Sequence, residues 1–316
     1  MKLYRSIEFS RLIFLIDENH KNFWEDLNQK ASKSLKYSNW WLEDNKSVER
    51  HQIIKNVVSN CPQFLKKSAD FNSKVGGRFN PSKSFGAIYT SSCPTLSMLE
   101  VLYHVFDSSL GLYKSLKKSS DKLTSSFNVP VPEQIKVMIT AMELEVSDDI
   151  EINKLCENRN KLKDLCGNLG FYRYIDEGFD ENFLFGNDYE VTHIIGCYFH
   201  NNNCVPLGVP SARVDMNHRN NDRYNVIIPE NRIEMLHPKL TGRFREYICT
   251  MDMNEVDEKY KIEVTSIGEK TMSETVFLQN KPSRRNNRII EFSQVDDAGE
   301  NRKRYSREVH LQRFVR

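Results

Sequence analysis

The sequence predicts an α+β protein: one mixed domain over residues 70–236, a mainly helical extension before it (1–69) and a β-containing extension after it (237–316). Three observations carry that prediction. Between residues 70 and 236, short apolar runs, Gly/Pro/Asn turns and stretches of helical periodicity alternate, as they do where strands and helices share a core. Before residue 70 the chain is polar with helically spaced apolar residues. After residue 236 strand-like runs return, at 260–267 and 288–292, ahead of a charged tail. With 316 residues the chain is long enough to bury a full hydrophobic core.

The elements follow in order. Tyr4-Arg5 lies in a short run that can serve as a first core strand. The apolar run at 12–16 is too short for the hydrophobic part of a signal peptide, and no stretch approaches the ~20 apolar residues that span a bilayer. A soluble, cytoplasmic protein without a membrane partner is expected, with later delivery by a secretion machine that uses no cleavable signal left open. Phe23, Trp24 and Leu27 mark one helix, Ile53, Ile54, Val57 and Val58 another, and Trp40-Trp41 between them reads as core anchoring. Gly76-Gly77-Arg78-Phe79-Asn80 forms a turn, and residues 86–90 a buried strand carrying Tyr89. Ser91 or Ser92 then supplies an N-cap, and Pro94 opens a helix that runs to about Asp107. Val191, Ile194, Ile195 and Tyr198 give the apolar face of a helix that stops before Asn201-Asn202-Asn203. Residues 207–209 and 225–229 read as strands, and the Asn-rich patches at 201–203 and 217–225 as loops.

Composition limits the function classes. Lys and Arg number 45 against 43 Asp and Glu, a net charge of +2, so the chain as a whole has no bias toward nucleic acid or acidic membranes. Residues 281–316 carry ten basic against five acidic side chains, which is either a solvated end or a local contact for RNA or protein. The seven cysteines (61, 93, 156, 166, 197, 204 and 249) are odd in number, scattered and without a CxxC pair, as expected of reduced thiols rather than of a disulfide framework or zinc site. His193 and His200 stand seven positions apart without an acidic ligand set, so no metal is expected and a metal-dependent hydrolase ranks last among the readings.

Four side chains carry chemistry. Gly76-Gly77 permits positive φ and close approach of backbone to ligand, and Arg78 offers a planar fork of donors suited to a pyrophosphate; the alternative is an ordinary hairpin with a solvated arginine. Tyr89 either stacks on a ligand ring or packs internally with one hydrogen bond. Leu96, Leu99, Glu100 and Tyr103 follow helical spacing, which puts Glu100 on the apolar face, where a carboxylate needs a reason to stay. It is either half of a structural ion pair or a group that accepts from a ribose hydroxyl and stabilises positive charge at the anomeric carbon. Ser211, in Pro210-Ser211-Ala212-Arg213, is a turn residue or one that orients a ligand; no Gly-x-Ser-x-Gly elbow marks it as a nucleophile.

As an ordered set, Gly-Gly-Arg-Phe-Asn at 76–80, Tyr89, Glu100, Pro-Ser-Ala-Arg at 210–213 and Asn-Val-Ile-Ile-Pro at 225–229 resemble the RES-domain family, named for its Arg, Glu and Ser. The resemblance covers roughly residues 70–236. It implies a fold similar to the ADP-ribosyltransferases, a split mixed β-sheet with helices around an NAD cleft, and a toxin that consumes NAD by glycohydrolysis or phosphorolysis or transfers ADP-ribose to a protein. The residues carried over are Arg78, Tyr89, Glu100 and Ser211, with Gly77 at the phosphate turn. Tyr4-Arg5 resembles the family's early aromatic-Arg pair and adds Arg5 as a ligand contact. NAD is then a substrate rather than a cofactor, and an antitoxin or immunity protein and a homodimer are implied partners. On this reading Glu100, Arg78 and Ser211 are catalytic, while Arg78, Tyr89, Ser211, Gly77 and Arg5 hold the dinucleotide. No second carboxylate stands two residues from Glu100, which favours NAD breakdown over transfer. The rival of another class is a non-catalytic module whose basic tail, with Arg284, Arg285 and Arg304, binds protein or RNA.

Overall fold

The computed structural model describes residues 1–14, 40–122, 133–148, 151–155, 159–171, 189–202, 206–211, 224–234, 238–256, 259–267, 272–279 and 290–295. Ten strands make one mixed sheet: β1 (Lys2–Glu8), β2 (Ala87–Ser91), β3 (Gln134–Glu145), β4 (Asn153–Lys154), β5 (Leu207–Pro210), β6 (Tyr224–Pro229), β7 (Lys239–Val256), β8 (Lys259–Ile267), β9 (Met272–Gln279) and β10 (Ile290–Val295). Their order across the sheet is β10-β9-β8-β7-β3-β1-β2-β6-β5-β4. Neighbours are antiparallel except β4 and β5, which are parallel. Six α-helices among the described residues surround it: α1 (Phe9–Phe14), α2 (Ser47–Ser59), α3 (Cys61–Val75), α4 (Pro94–Lys122), α5 (Arg159–Asn168) and α6 (Glu190–Asn202). The chain is α+β, as its sequence predicts.

Strand β3 shows how the layers arise. Its run Val137 to Leu144 is buried without interruption, because both faces of the sheet are covered there. Val137, Ile139 and Ala141 pack with Met98, Leu102 and Phe106 of α4. Met138, Met142 and Leu144 pack with Ile54 of α2 and Leu65 of α3 on the other face. A third cluster joins Ala87 and Ile227 to Leu162 of α5 and Ile195 of α6. It lies on the same face as α4, since Tyr4, opposite Glu143 in one register, stands opposite Ser91 in the next.

Between those two halves the sheet is barely joined. β1 pairs with β3 along seven residues, yet meets β2 only at Tyr4↔Ser91 among the described residues. At this seam Tyr89, Ser91 and Asn225 lie on the sheet face that α4 and α6 cover, and the candidate residues other than Arg5 gather on that side.

Away from the seam, the α2 side is locked to β7 by a buried ion pair. Arg50 Nε stands 3.1 Å from Glu246 Oε1, both side chains are 4% exposed, and Arg50 Nη1 also donates to the carbonyls of Trp41 and Glu43. His51 Nε2 approaches Glu246 Oε2 at 3.7 Å.

Several elements differ from expectation. Helix α4 continues to Lys122 rather than ending near Asp107, because Val105, Phe106 and Leu110 keep its apolar face buried against β7 and β8. It begins at Pro94, with the Cys93 carbonyl accepting from the Ser97 amide; Ser91 and Ser92 instead bond to the β6 strand at Asn225 and Tyr224. Asn201 and Asn202 are helical, and Asn225 is a strand residue rather than part of a loop. The expected strand at 260–267 coincides with β8, and that at 288–292 overlaps β10 from Ile290 onward, while β7 and β9 are additional. Phe23, Trp24 and Leu27, residues 217–223 and the basic tail at 281–289 and 296–316 lie outside the described residues.

Candidate active site at the sheet seam

The turn at residues 76–80 is built to a tight tolerance. Gly76 ends α3 at φ 81°, a conformation that side chains with a Cβ disfavour. Gly77 N donates to Asn80 O at 2.8 Å, and a Cβ on Gly77 would lie 2.6 Å from the Tyr89 hydroxyl. Asn80 is fully buried, and its Nδ2 donates to the carbonyls of Asn72 (3.3 Å) and Phe85 (3.2 Å). From β2, Tyr89 OH donates to Asn80 Oδ1 at 2.8 Å and accepts from the Phe79 amide at 2.9 Å. Burial pushes the Tyr89 phenol well above its ordinary pKa. Its hydroxyl is used inside the protein, and its ring is partly buried against the third cluster.

Helix α6 closes on this turn from the other side. A Cβ at Gly196 would sit 1.7 Å from Phe79 O, so only glycine lets helix and turn touch. One turn earlier, His193 Nε2 donates to Gly77 O at 2.8 Å. Tyr189, just before the helix, carries Arg78 over its ring, with Cζ 5.8 Å from the centroid. At that distance the guanidinium is within cation–π range of the ring.

The second corner is a carboxylate. Glu100, half-buried on α4, receives Ser211 Oγ at 2.6 Å and Asn225 Nδ2 at 2.8 Å, both on Oε1. Ser211 follows β5 and is 2% exposed. Asn225 Oδ1 accepts from Ser91 Oγ at 2.6 Å, which ties the carboxylate to the last residue of β2 at the seam. Tyr89 and Ser91 are two residues apart on the same face of β2, so one strand links the turn to the carboxylate.

Arg5 is placed differently. It stands opposite Met142, on the face that α2 and α3 cover, while Tyr4 shares the α4 and α6 face with Ser91. Its guanidinium donates to Tyr89 O at 2.7 Å and to Ser68 Oγ of α3, so it bridges β1 and β2 where their ladder stops. Burial lowers its pKa to about 10, still charged at neutral pH. The structure thus brings Glu100 and Ser211 into contact, brings Gly77, Arg78 and Tyr89 into one corner, and puts Arg5 behind the sheet.

Sequence reasoning misses Asn80, His193, Gly196, Asn225 and Ser91 as site residues. A glycine inside a helical apolar pattern is a sign of close backbone approach, and Gly196 carries it. Asn225, polar at the head of an apolar strand, is visible in the sequence only as part of a motif. His193 enters the sequence reading only as a weak metal ligand; among the described residues no group of three or more His, Cys, Asp or Glu side chains could hold a metal ion. No described helix is long and apolar enough to cross a membrane.

No curated protein matches the chain. The model of the RES domain matches residues 62–234, more than half of the chain, and takes in Arg78, Tyr89, Glu100 and Ser211 while leaving out β1 and β7 to β10. This family is associated with NAD-related, toxin-like function. The ordered turn, the helical carboxylate and the serine bonded to it belong to that match, and the chain is a member of the RES-domain family.

Proposed function

We propose that the chain binds NAD at the sheet seam and cleaves its nicotinamide–ribose bond, depleting NAD as a toxin acting in the cytoplasm. The observation that carries the reading is the Ser211–Glu100 hydrogen bond of 2.6 Å, which fixes a carboxylate on the α4 and α6 face beside the turn bearing Arg78. The near-break between β1 and β2 supports a split sheet like that of the ADP-ribosyltransferases.

Nicotinamide leaves as a neutral base when the C1′–N bond breaks toward its ring nitrogen, so the barrier lies in the ribosyl cation left behind. Arg78, held over the Tyr189 ring, binds the pyrophosphate, and the Gly77 turn lets backbone approach it. The ring of Tyr89 packs on a base, and Ser211 orients the nicotinamide ribose. Glu100 stabilises the cation by accepting from a ribose hydroxyl, an interaction that strengthens as charge develops. Water or phosphate captures the cation at C1′ and releases a proton, giving ADP-ribose or its 1″-phosphate. Arg5 supports the site from behind, through the backbone of Tyr89. An antitoxin or immunity protein would act by covering the seam, and a second copy of the chain is a further partner.

The test is release of free nicotinamide from NAD by the purified chain, by Glu100→Ala and by Arg78→Ala, with and without phosphate. Release by the wild type, lost in both variants, is the expected result, and phosphate dependence separates phosphorolysis from hydrolysis. No release in any condition overturns NAD breakdown. Label from NAD transferred to lysate protein would then identify a transferase, and its absence a binding module.

A further inference from the structure

We propose that Asn225 is a positioning residue for Glu100, braced on its other amide edge by Ser91. Asn225 acts through the carboxylate rather than on the turn. Glu100 as a carboxylate only accepts, so the amide edge that faces Oε1 at 2.8 Å must be the NH2 edge. That leaves Oδ1 facing Ser91 Oγ at 2.6 Å, and a serine hydroxyl can donate there. The carboxylate therefore selects the amide orientation, since the other would turn a carbonyl oxygen toward it, and the Ser91 hydroxyl, which rotates to donate, braces the amide from its far edge.

The consequence for Glu100 is directional. Ser211 and Asn225 both donate to Oε1, from the ends of β5 and β6, so rotation about the last torsion of Glu100 is set by two strands rather than by its own helix. The Glu100 terminal torsion is otherwise broad and two-fold. Asn225 pairs with Ser91 in the β2–β6 ladder, so the brace is part of the sheet and costs little further ordering. Both of these donors are neutral, so what they contribute is the direction of the carboxylate.

Asn225→Asp is the near-isosteric test, since it swaps the donor for a second carboxylate at the same distance. The readout independent of activity is the carboxyl carbon resonance of Glu100 in protein labelled at the glutamate carboxyl, identified by its loss in Glu100→Gln. In Asn225→Asp the titration midpoint of that resonance should rise by roughly one pH unit or more, as for carboxylates sharing a site. In Ser91→Ala, where the amide loses its brace, the midpoint should move less and the resonance broaden. The kinetic arm rests on the NAD-cleaving reading: kcat for nicotinamide release should fall on the order of 10²-fold in Asn225→Ala with KM nearly unchanged. In Asn225→Asp it should fall mainly below the raised midpoint, where Glu100 is protonated, moving the acid limb of the pH profile upward. An unmoved Glu100 resonance in Asn225→Asp, or in Ser91→Ala should the aspartate variant not fold, overturns the positioning role. A silent wild-type enzyme with a shifted resonance overturns the NAD reading and leaves the positioning role standing.

Discussion

Glu246 and Glu100 are carboxylates on opposite sides of the same sheet, and their partners differ in kind. Glu246, on β7, is 3% exposed and meets the guanidinium of Arg50, with the His51 imidazole nearby. Glu100, half-buried at the seam, is held by the hydroxyl of Ser211 and the amide of Asn225. A cationic partner neutralises a buried carboxylate and ties two elements together, here α2 and β7. Neutral donors instead fix the direction of a carboxylate. The first arrangement ties elements together, and the second, on the proposed NAD-cleaving reading, aims a carboxylate at a developing cation.

The sharpest way to break this contrast is to remove the cation from the architectural side. Arg50→Ala should cost about 3–5 kcal/mol of unfolding free energy, since it strands Glu246 and also removes donors from the carbonyls of Trp41 and Glu43. Urea unfolding measures it. Arg50→Met with Glu246→Leu should recover about 2 kcal/mol of that loss, because the orphaned charge is gone. Nicotinamide release per folded molecule should be unchanged in both, and a fall in kcat as large as that of a seam variant would erase the distinction between the two sites.

At the seam the expected pattern reverses. Glu100→Gln keeps the shape of the side chain, so unfolding should be nearly unaffected, while kcat falls by about 10²–10³-fold, the range for losing one strong transition-state interaction. KM for NAD should hardly move, because the lost interaction belongs to the transition state. Equal weakening of affinity and turnover would place Glu100 in binding rather than in catalysis.

The seam corner is largely legible in the amino-acid sequence, and the architectural corner is not. Glu100 declares itself through helical spacing with Leu96 and Leu99, and the turn through its paired glycines. Arg50 lies in an unremarkable polar stretch and Glu246 in a strand without a clear sequence signature; a pairing across 196 positions has no local signal. Strand β7 is partly readable, since Tyr247, Cys249, Met251 and Met253 alternate at strand spacing and all face α4 and β8. Charged residues interleaved on the facing side obscure it, because Glu246 there is buried by pairing rather than exposed. Arg5 illustrates a different limit: its nearness to β2 follows from the strand order, but which face it takes depends on register, and a one-residue shift inverts it.

Gly196 tests whether the turn corner belongs with architecture or with chemistry. Gly196→Ala must displace the Phe79 carbonyl, since the new Cβ would fall 1.7 Å from it, and overpacking of that kind costs about 1–3 kcal/mol. The displacement also pulls at the turn holding Gly77 and Arg78, so KM for NAD should rise more than kcat falls. Calorimetry and NAD saturation curves on one preparation decide it. A pure stability loss with unchanged KM would assign the α6–turn contact to the fold alone.

Tyr89→Phe is the mildest of these changes and separates the two roles within one side chain. The ring remains for a ligand to stack on, while the Phe79 amide and Asn80 Oδ1, both buried, lose their partner at a cost of about 1–3 kcal/mol near neutral pH. The pH dependence has a definite sign. Burial raises the phenol pKa in the folded chain above the value of about 10 it has when unfolded, so the tyrosine's contribution is complete below that pH. It is lost as pH rises further, because only the unfolded chain can ionise there. The stability gap between wild type and Tyr89→Phe should therefore narrow between about pH 7 and about pH 10.5. A gap constant across that range would mean that Tyr89 ionises as readily folded as unfolded. In that case its hydroxyl could not be the group that clamps the turn beneath Arg78.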